Sequence, residues 1–240
     1  MTGAPLPAER ELRVYDTHRL IPSRLSDKGT VLSRLTGDAA ILADLAELDG
    51  ATNTRLLGEE GLLPGISVYE LVYGVPYAHI VNAAFTHAAP SGGRFNSAQR
   101  GAWYAAIEPE TAAAEVAFHR LQHLEEIDWP EEEMATFDDY LADFAAEFHD
   151  LTGRKPAFKR YLAPGPIPEC YREPKLLAAN LLALRSNGIL YPSVRQPRGT
   201  CLVCFRPALV YHVRRSARLE FRLLAHRPFH AAQMHELSAG

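Results

Sequence analysis

Apolar positions along this chain fall into short periodic blocks separated by Pro and Gly. Residues 1 to 37 have that punctuation and no sustained period, which predicts an extended arm packed through Leu20, Ile21 and Leu25. From Asp38 to Leu48, the side chains of Ile41, Leu42, Leu45 and Leu48 recur at helical spacing, with Asp38 as N-cap and Gly50 past the end, so a short amphipathic helix is expected. Ser67 to Tyr73 alternates as a half-buried strand does, and Trp103 to Ile107 predicts another, with the Ser91-Gly92-Gly93 turn between them. After Glu108-Pro109 the run TAAAEVAFHRLQHLEE has helical composition to about Glu126, with Ala113, Val116, Ala117, Leu121 and Leu124 as its core stripe. At about 100° per residue, Glu115 falls roughly opposite that stripe and points to solvent or into a cleft.

A second helix is expected from Glu131 to Leu151, with Met134, Phe137, Leu141, Phe144, Phe148 and Leu151 on its buried edge and its acids on a wet outer face. Pro174 to Asn187 begins with proline and stops at Gly188, the usual asymmetry of helix ends. Ile189 to Tyr191 is then a short strand ended by Pro192. Thr200 to Phe205, Ala208 to Val213 and Leu219 to Leu224 predict three more, with Pro207 and the 214–218 stretch as breaks. Strands at both ends and helices between them predict an α+β fold, and no repeat is visible at periods of 20 to 50 residues.

Composition narrows the function classes. The 240 residues are 47% hydrophobic and 22% charged, as in an ordinary globular protein, and no apolar run approaches the roughly 18 residues of a membrane span. The first residues lack the apolar core of a signal peptide, so a cytoplasmic location away from membranes is expected. Three cysteines, Cys170, Cys201 and Cys204, do not make a disulfide framework there. A net charge of -4 argues against a nucleic-acid partner. Charge is unevenly spread: eleven Asp and Glu with no Lys or Arg lie between Glu125 and Asp150, and six Arg against one acid lie between Arg206 and His230. Both runs are expected to be solvated faces.

Several common chemistries find no foothold. Glu115, His119 and His123 share one helix face, but HExxH is absent and no third ligand is indicated, so no metal is expected. Cys201 and Cys204 form a lone CxxC inside an apolar strand, which favours buried structural thiols. Neither a GxSxG elbow, a Walker loop nor GxGxxG occurs. What remains is SGGRFNSAQRGAWYAAIEPETAAAEVAFHR, followed much later by GILYPSVR. A Gly-Gly turn beside Arg94 suits bidentate recognition of a phosphate or carboxylate. Tyr104 offers an aromatic face, Glu115 a carboxylate turned away from the core, and Ser193 a hydroxyl in a Pro-bounded turn.

GGRFN, WYAA, ETAAAEVAFH and the distal GILYPSVR, in this order, resemble the RES-domain family, named for its Arg, Glu and Ser, whose members include toxins paired with Xre-type antitoxins. The resemblance spans Leu63 to Leu224 and divides the chain into an N-terminal extension (1–62, an arm plus a short helix), a RES domain (63–230) and a C-terminal tail (231–240). DTHRLIPSR and ATNTRL resemble the extension of a longer subgroup, with no mechanistic role assigned. One departure is Glu70, where many relatives have an arginine near the domain start. The resemblance implies an ADP-ribosyltransferase-like fold, a mixed β-sheet core with flanking helices, and chemistry on NAD+ as substrate, with no cofactor.

Cleavage of the nicotinamide–ribose bond by hydrolysis or phosphorolysis is the leading activity. A protein ADP-ribosyltransferase using the same site is the alternative, and a non-catalytic partner- or nucleotide-binding module the second. By the resemblance, Glu115 is the carboxylate that stabilises the oxocarbenium-like state, and Arg94 binds the pyrophosphate. Tyr104 packs on the nicotinamide or its ribose, Ser193 hydrogen-bonds in the same pocket, and Asn96 and Arg195 are further substrate contacts. Neutral nicotinamide leaves from a cationic pyridinium, so no strong general acid is required and the ten histidines need no catalytic role. His79, His87 and His119 remain as residues to line the cleft. An Xre-type antitoxin is the implied partner, and a homo-oligomer is left open.

Overall fold

The computed structural model describes residues 6–26, 65–153, 155–225 and 233–237. The helix expected at Asp38 to Leu48 lies outside them. The elements are β1 (Glu9–Pro22), α1 (Ser23–Ser26), α2 (Ala78–Thr86), β2 (Trp103–Ala106), α3 (Pro109–Glu126), β3 (Glu133–Asp150), α4 (Arg172–Ala183), β4 (Gly188–Pro192), β5 (Thr200–Cys204), β6 (Tyr211–Leu223) and β7 (Gln233–Leu237). This is the α+β class expected, a mixed sheet with flanking helices.

Strand order is β1-β2-β5-β4-β3-β6-β7, and β1 also pairs with β3. The first five strands therefore close a circuit. Pairing is antiparallel throughout except between β3 and β4. The arm is thus a full strand whose partners run from Glu9↔His149 to Pro22↔Phe137, with a bulge between Val14 and Thr17. Leu20 is buried and Leu25 is exposed. At the single pair His18↔Ala106, β1 also touches β2. Two cores flank the sheet. One holds Leu121 and Leu124 of α3 and Leu177 and Leu181 of α4, and the other holds Ile80, Val81 and Phe85 of α2.

The helix expected at Glu131 to Leu151 is instead β3. Its Tyr140, Ala142, Phe144, Ala146 and Phe148 pack on one core at the two-residue period of a strand, and tertiary pairing overrides the helical propensity of its Ala and Glu. Nor are its acids all on a wet face. Asp138, Asp139 and Asp143 are buried, and for Asp138 and Asp143 the partners come from the Arg-rich run, which is β6 and lies beside β3. Arg215 and Arg218 hold Asp138, and Arg214 holds Asp143. Each charge run therefore supplies partners to the other.

Three further expectations differ. Ser67 to Tyr73 is not a strand but contains a short 3-10 turn, Val68–Glu70, with Tyr69 96% exposed. The Glu70 carboxylate folds back on the Ser67 amide and takes Arg100 bidentately, which a strand would forbid. Pro207–Leu209 is also 3-10, and β6 runs unbroken through the 214–218 stretch with bulges instead of a break. α2 was not expected at all. Within β5, Cys201 packs in one core and Cys204 in the other, so the CxxC thiols sit on opposite faces and cannot share a metal. Among the described residues no helix is long and apolar enough to cross a membrane.

Candidate active site

A cleft of about 950 Å³ opens between the Gly-Gly loop, β2, α3 and the C-terminal half of β1. The loop's shape depends on its glycines. Gly92 has φ +68°, and a Cβ on Gly93 would lie 2.4 Å from Asn96 Oδ1 and 2.8 Å from the Tyr104 hydroxyl. Those two groups clasp the loop. Asn96 Oδ1 accepts from Gly93 N at 2.9 Å and from the Tyr104 hydroxyl at 2.9 Å, and its amide nitrogen donates to the carbonyls of Ser97 and Arg100. Tyr104 also accepts from Phe95 N. Burial pushes its phenol above the ordinary value, so it stays protonated as a donor. Both residues line the cleft, with their polar atoms already engaged in holding the loop.

Arg94, at the loop's tip, is buried rather than presented on the surface. Nη1 reaches the carbonyls of Tyr161 and Ala163 at 3.4 Å each, a long separation for a hydrogen bond, and its guanidinium lies 4.8 Å from the Tyr171 ring centroid. The guanidinium so held forms part of the cleft wall.

Glu115 lines the cleft from α3, turned away from the buried Ala113 and Ala117, as its place in the helix predicts. The packing explains the sequence: Ala113 and Ala117 let α3 approach the sheet closely, and Pro109 suits its first turn. Ser193 Oγ donates to Glu115 Oε1 at 2.6 Å and accepts from Arg195 N and Gln196 N at 3.1 and 2.9 Å. The turn hydroxyl therefore fixes the carboxylate without itself lining the cleft. Cys201 Sγ lies 3.7 Å from the same oxygen. Burial, and then Glu115, push that thiol well above its usual value, so it serves as a weak donor and not as a nucleophile. Among the described residues no group donates to Glu115 Oε2. Arg195 stacks 3.4 Å from the Phe118 ring centroid, outside the cleft wall, with Nη2 buried and unpartnered among the described residues.

Sequence reasoning missed two residues of β1. Arg19 lines the cleft, donates from Nη1 to the Tyr104 carbonyl at 3.0 Å, stacks 4.8 Å from the Trp103 ring centroid, and has Nε buried without a partner among the described residues. Burial lowers it to about 10, with Tyr104 opposing, so it is charged at neutral pH. His18 lines the cleft as well, as do His87 and His119, while His79 does not. The available signal was DTHRLIP, a His-Arg pair immediately before the apolar Leu20 and Ile21. Glu70, where an arginine was expected, ties down Arg100. The second cleft guanidinium is Arg19.

The arrangement joins a fixed carboxylate, with one oxygen free among the described residues, to two guanidiniums and aromatic walls. It can accept an anionic ligand and stabilise positive charge developing beside Glu115. The family model described as RES domain matches residues 71–224, well over half of the chain. The chain belongs to the RES-domain family. Within the matched RES span lie Arg94, Tyr104, Glu115 and Ser193, whereas β1, with His18 and Arg19, precedes it and still completes the cleft. Among solved structures the RES chain is similar to a chain of the M. tuberculosis MbcT-MbcA toxin-antitoxin complex. That pair shares 15% identity over 58% of this chain and 74% of the other, with a TM-score of 0.38. No curated protein matches the chain.

Proposed function

We propose that this RES-domain protein cleaves the nicotinamide–ribose bond of NAD+ and thereby depletes the dinucleotide. The observation that carries the reading is Glu115, with one carboxylate oxygen clamped by Ser193 at 2.6 Å and the other unengaged among the described residues, in a cleft walled by Arg94 and Arg19. As the bond lengthens, positive charge grows on the ribose, and a fixed anion stabilises it without reorganising. The electron pair leaves on the ring nitrogen, giving neutral nicotinamide, so no acid is required at the leaving group. The guanidiniums of Arg94 and Arg19 meet the pyrophosphate. Ser193 acts as a positioning residue for Glu115, and Tyr104 and Asn96 hold the loop that carries Arg94.

Consumption of NAD+ in a cell is toxic, and this reading calls for a cognate Xre-type antitoxin that covers the cleft. The test is to incubate the purified full chain with NAD+, with and without phosphate, and resolve the products by chromatography. Free nicotinamide with ADP-ribose marks hydrolysis, and ADP-ribose-1″-phosphate marks phosphorolysis. Label from NAD+ that appears on protein in place of free product overturns depletion in favour of ADP-ribosyl transfer. No release with or without protein acceptors overturns catalysis.

A further inference from the structure

Two adjacent carboxylates of β3 have opposite surroundings. Asp138 is held by Arg215, Arg218 and Ser26. Asp139, 5% exposed, has a single hydrogen-bond partner among the described residues: His18 Nδ1 lies 2.8 Å from its Oδ2, and its Oδ1 is buried with none. An ionised carboxylate only accepts, so it selects the tautomer with the proton on Nδ1 and leaves the lone pair on Nε2. Nε2 has no protein partner among the described residues, and the ring forms part of the cleft wall. His18 is the cross-strand partner of Ala106. Ala106 lines the same cleft, as do Ala112 and, about one turn further along α3, Glu115. An imidazole divided between a buried acceptor and an open cleft is how histidines are prepared to take a proton.

We propose that His18, oriented by Asp139, is the general base that activates the attacking water in this cleft, an inference that rests on the cleavage reading above. The C1″–N bond breaks with its electron pair passing to the nicotinamide nitrogen. The water oxygen bonds to C1″, one of its protons passes to His18 Nε2 and then to solvent, and the products are nicotinamide and ADP-ribose. His18 is the catalytic residue and Asp139 the positioning residue. With water as the nucleophile that loses its proton to this base, the reaction proposed is hydrolysis.

The test compares nicotinamide release by the full chain and by His18→Ala, His18→Gln and Asp139→Asn in phosphate-free buffer, with and without added imidazole. His18→Ala is expected to lower kcat roughly 10²- to 10⁴-fold with KM for NAD+ little changed, and imidazole entering the vacated space to restore activity about tenfold or more. Asp139→Asn is expected to lower kcat at least about tenfold at unchanged KM, without rescue, because the ring is still present but misoriented. If His18→Ala does not fold, His18→Gln, which keeps a donor toward Asp139, carries the same kcat loss at unchanged KM. An active wild type whose His18 variants keep turnover, or whose folded His18→Ala ignores imidazole, overturns the assignment and leaves the cleavage reading standing. A wild type that needs phosphate for release also overturns it. A wild type that releases no nicotinamide overturns the cleavage reading and takes this assignment with it.

Discussion

Asp138→Asn perturbs the charge pairing that holds β3 to β6, and its cost follows from the structure. The carboxylate is fully buried and accepts from Arg218 Nε at 2.7 Å, Arg218 Nη2 at 3.1 Å, Arg215 Nη2 at 2.7 Å and the Ser26 hydroxyl. Burial alone would raise its pKa. The hydrogen bonds from Arg218, Ser26 and Arg215 outweigh it and hold the group at about 2, against an ordinary 3.8. A depression of that size contributes about 2 kcal/mol to the folded state. Because the folded value is the lower one, the contribution is complete above the unfolded value of 3.8 and is lost as the pH falls toward 2.

Asparagine keeps the shape, removes the charge and sets an amide NH2 against a guanidinium. Destabilisation of about 2–4 kcal/mol at neutral pH is expected. For a chain of this size that is a Tm lower by roughly 5–15 °C. Thermal melts of both proteins at pH 7 and at stepwise lower pH read it directly, and the gap should narrow on acidification as wild type loses the same ionised group. Equal melting temperatures at pH 7, or a gap that persists unchanged down to pH 2, would refute the reasoning.

Two further outcomes follow from the clasped loop and the fixed carboxylate. Ser193→Ala removes a short charge-assisted bond to Glu115, worth about 1.5–3 kcal/mol, so kcat for NAD+ should fall roughly 10- to 150-fold while KM holds, as steady-state kinetics will show. Gly93→Ala drives a methyl into Asn96 Oδ1 and the Tyr104 hydroxyl and should cost about 1–3 kcal/mol in urea unfolding, whereas Gly153→Ala, in open space, should cost less.

How much of this was legible in the sequence depends on how local the signal is. β2, α3 and β4 follow from local pattern: Pro109 at a helix start, alanines on the packing side, and a short apolar run ended by Pro192. Glu115 was placed by helical geometry alone, and the structure sets it in the cleft. β3 was not legible because Phe137, Leu141, Phe144 and Phe148 satisfy a helical period while Tyr140, Ala142, Phe144, Ala146 and Phe148 satisfy a period of two. The choice was made by pairing with β1 and β6, from the far ends of the chain. The same pairing buried Asp138 and Asp143 against arginines remote in sequence, and it delivered His18 and Arg19 to the cleft. Of the residues singled out beforehand, Arg94, Tyr104, Asn96 and Glu115 line the cleft, Ser193 hydrogen-bonds to Glu115, and Arg195 stacks on the Phe118 ring outside the cleft lining.

The measurement that tests the central claim most directly is nicotinamide release from NAD+ by the full chain and by Glu115→Gln, run side by side with NAD+ binding by calorimetry. The account predicts release by wild type, a loss of several powers of ten in kcat for Glu115→Gln, and a similar Kd for NAD+ in both, since the carboxylate acts mainly in the transition state. Equal turnover by the two proteins, or no release by a wild type that binds NAD+, would contradict it.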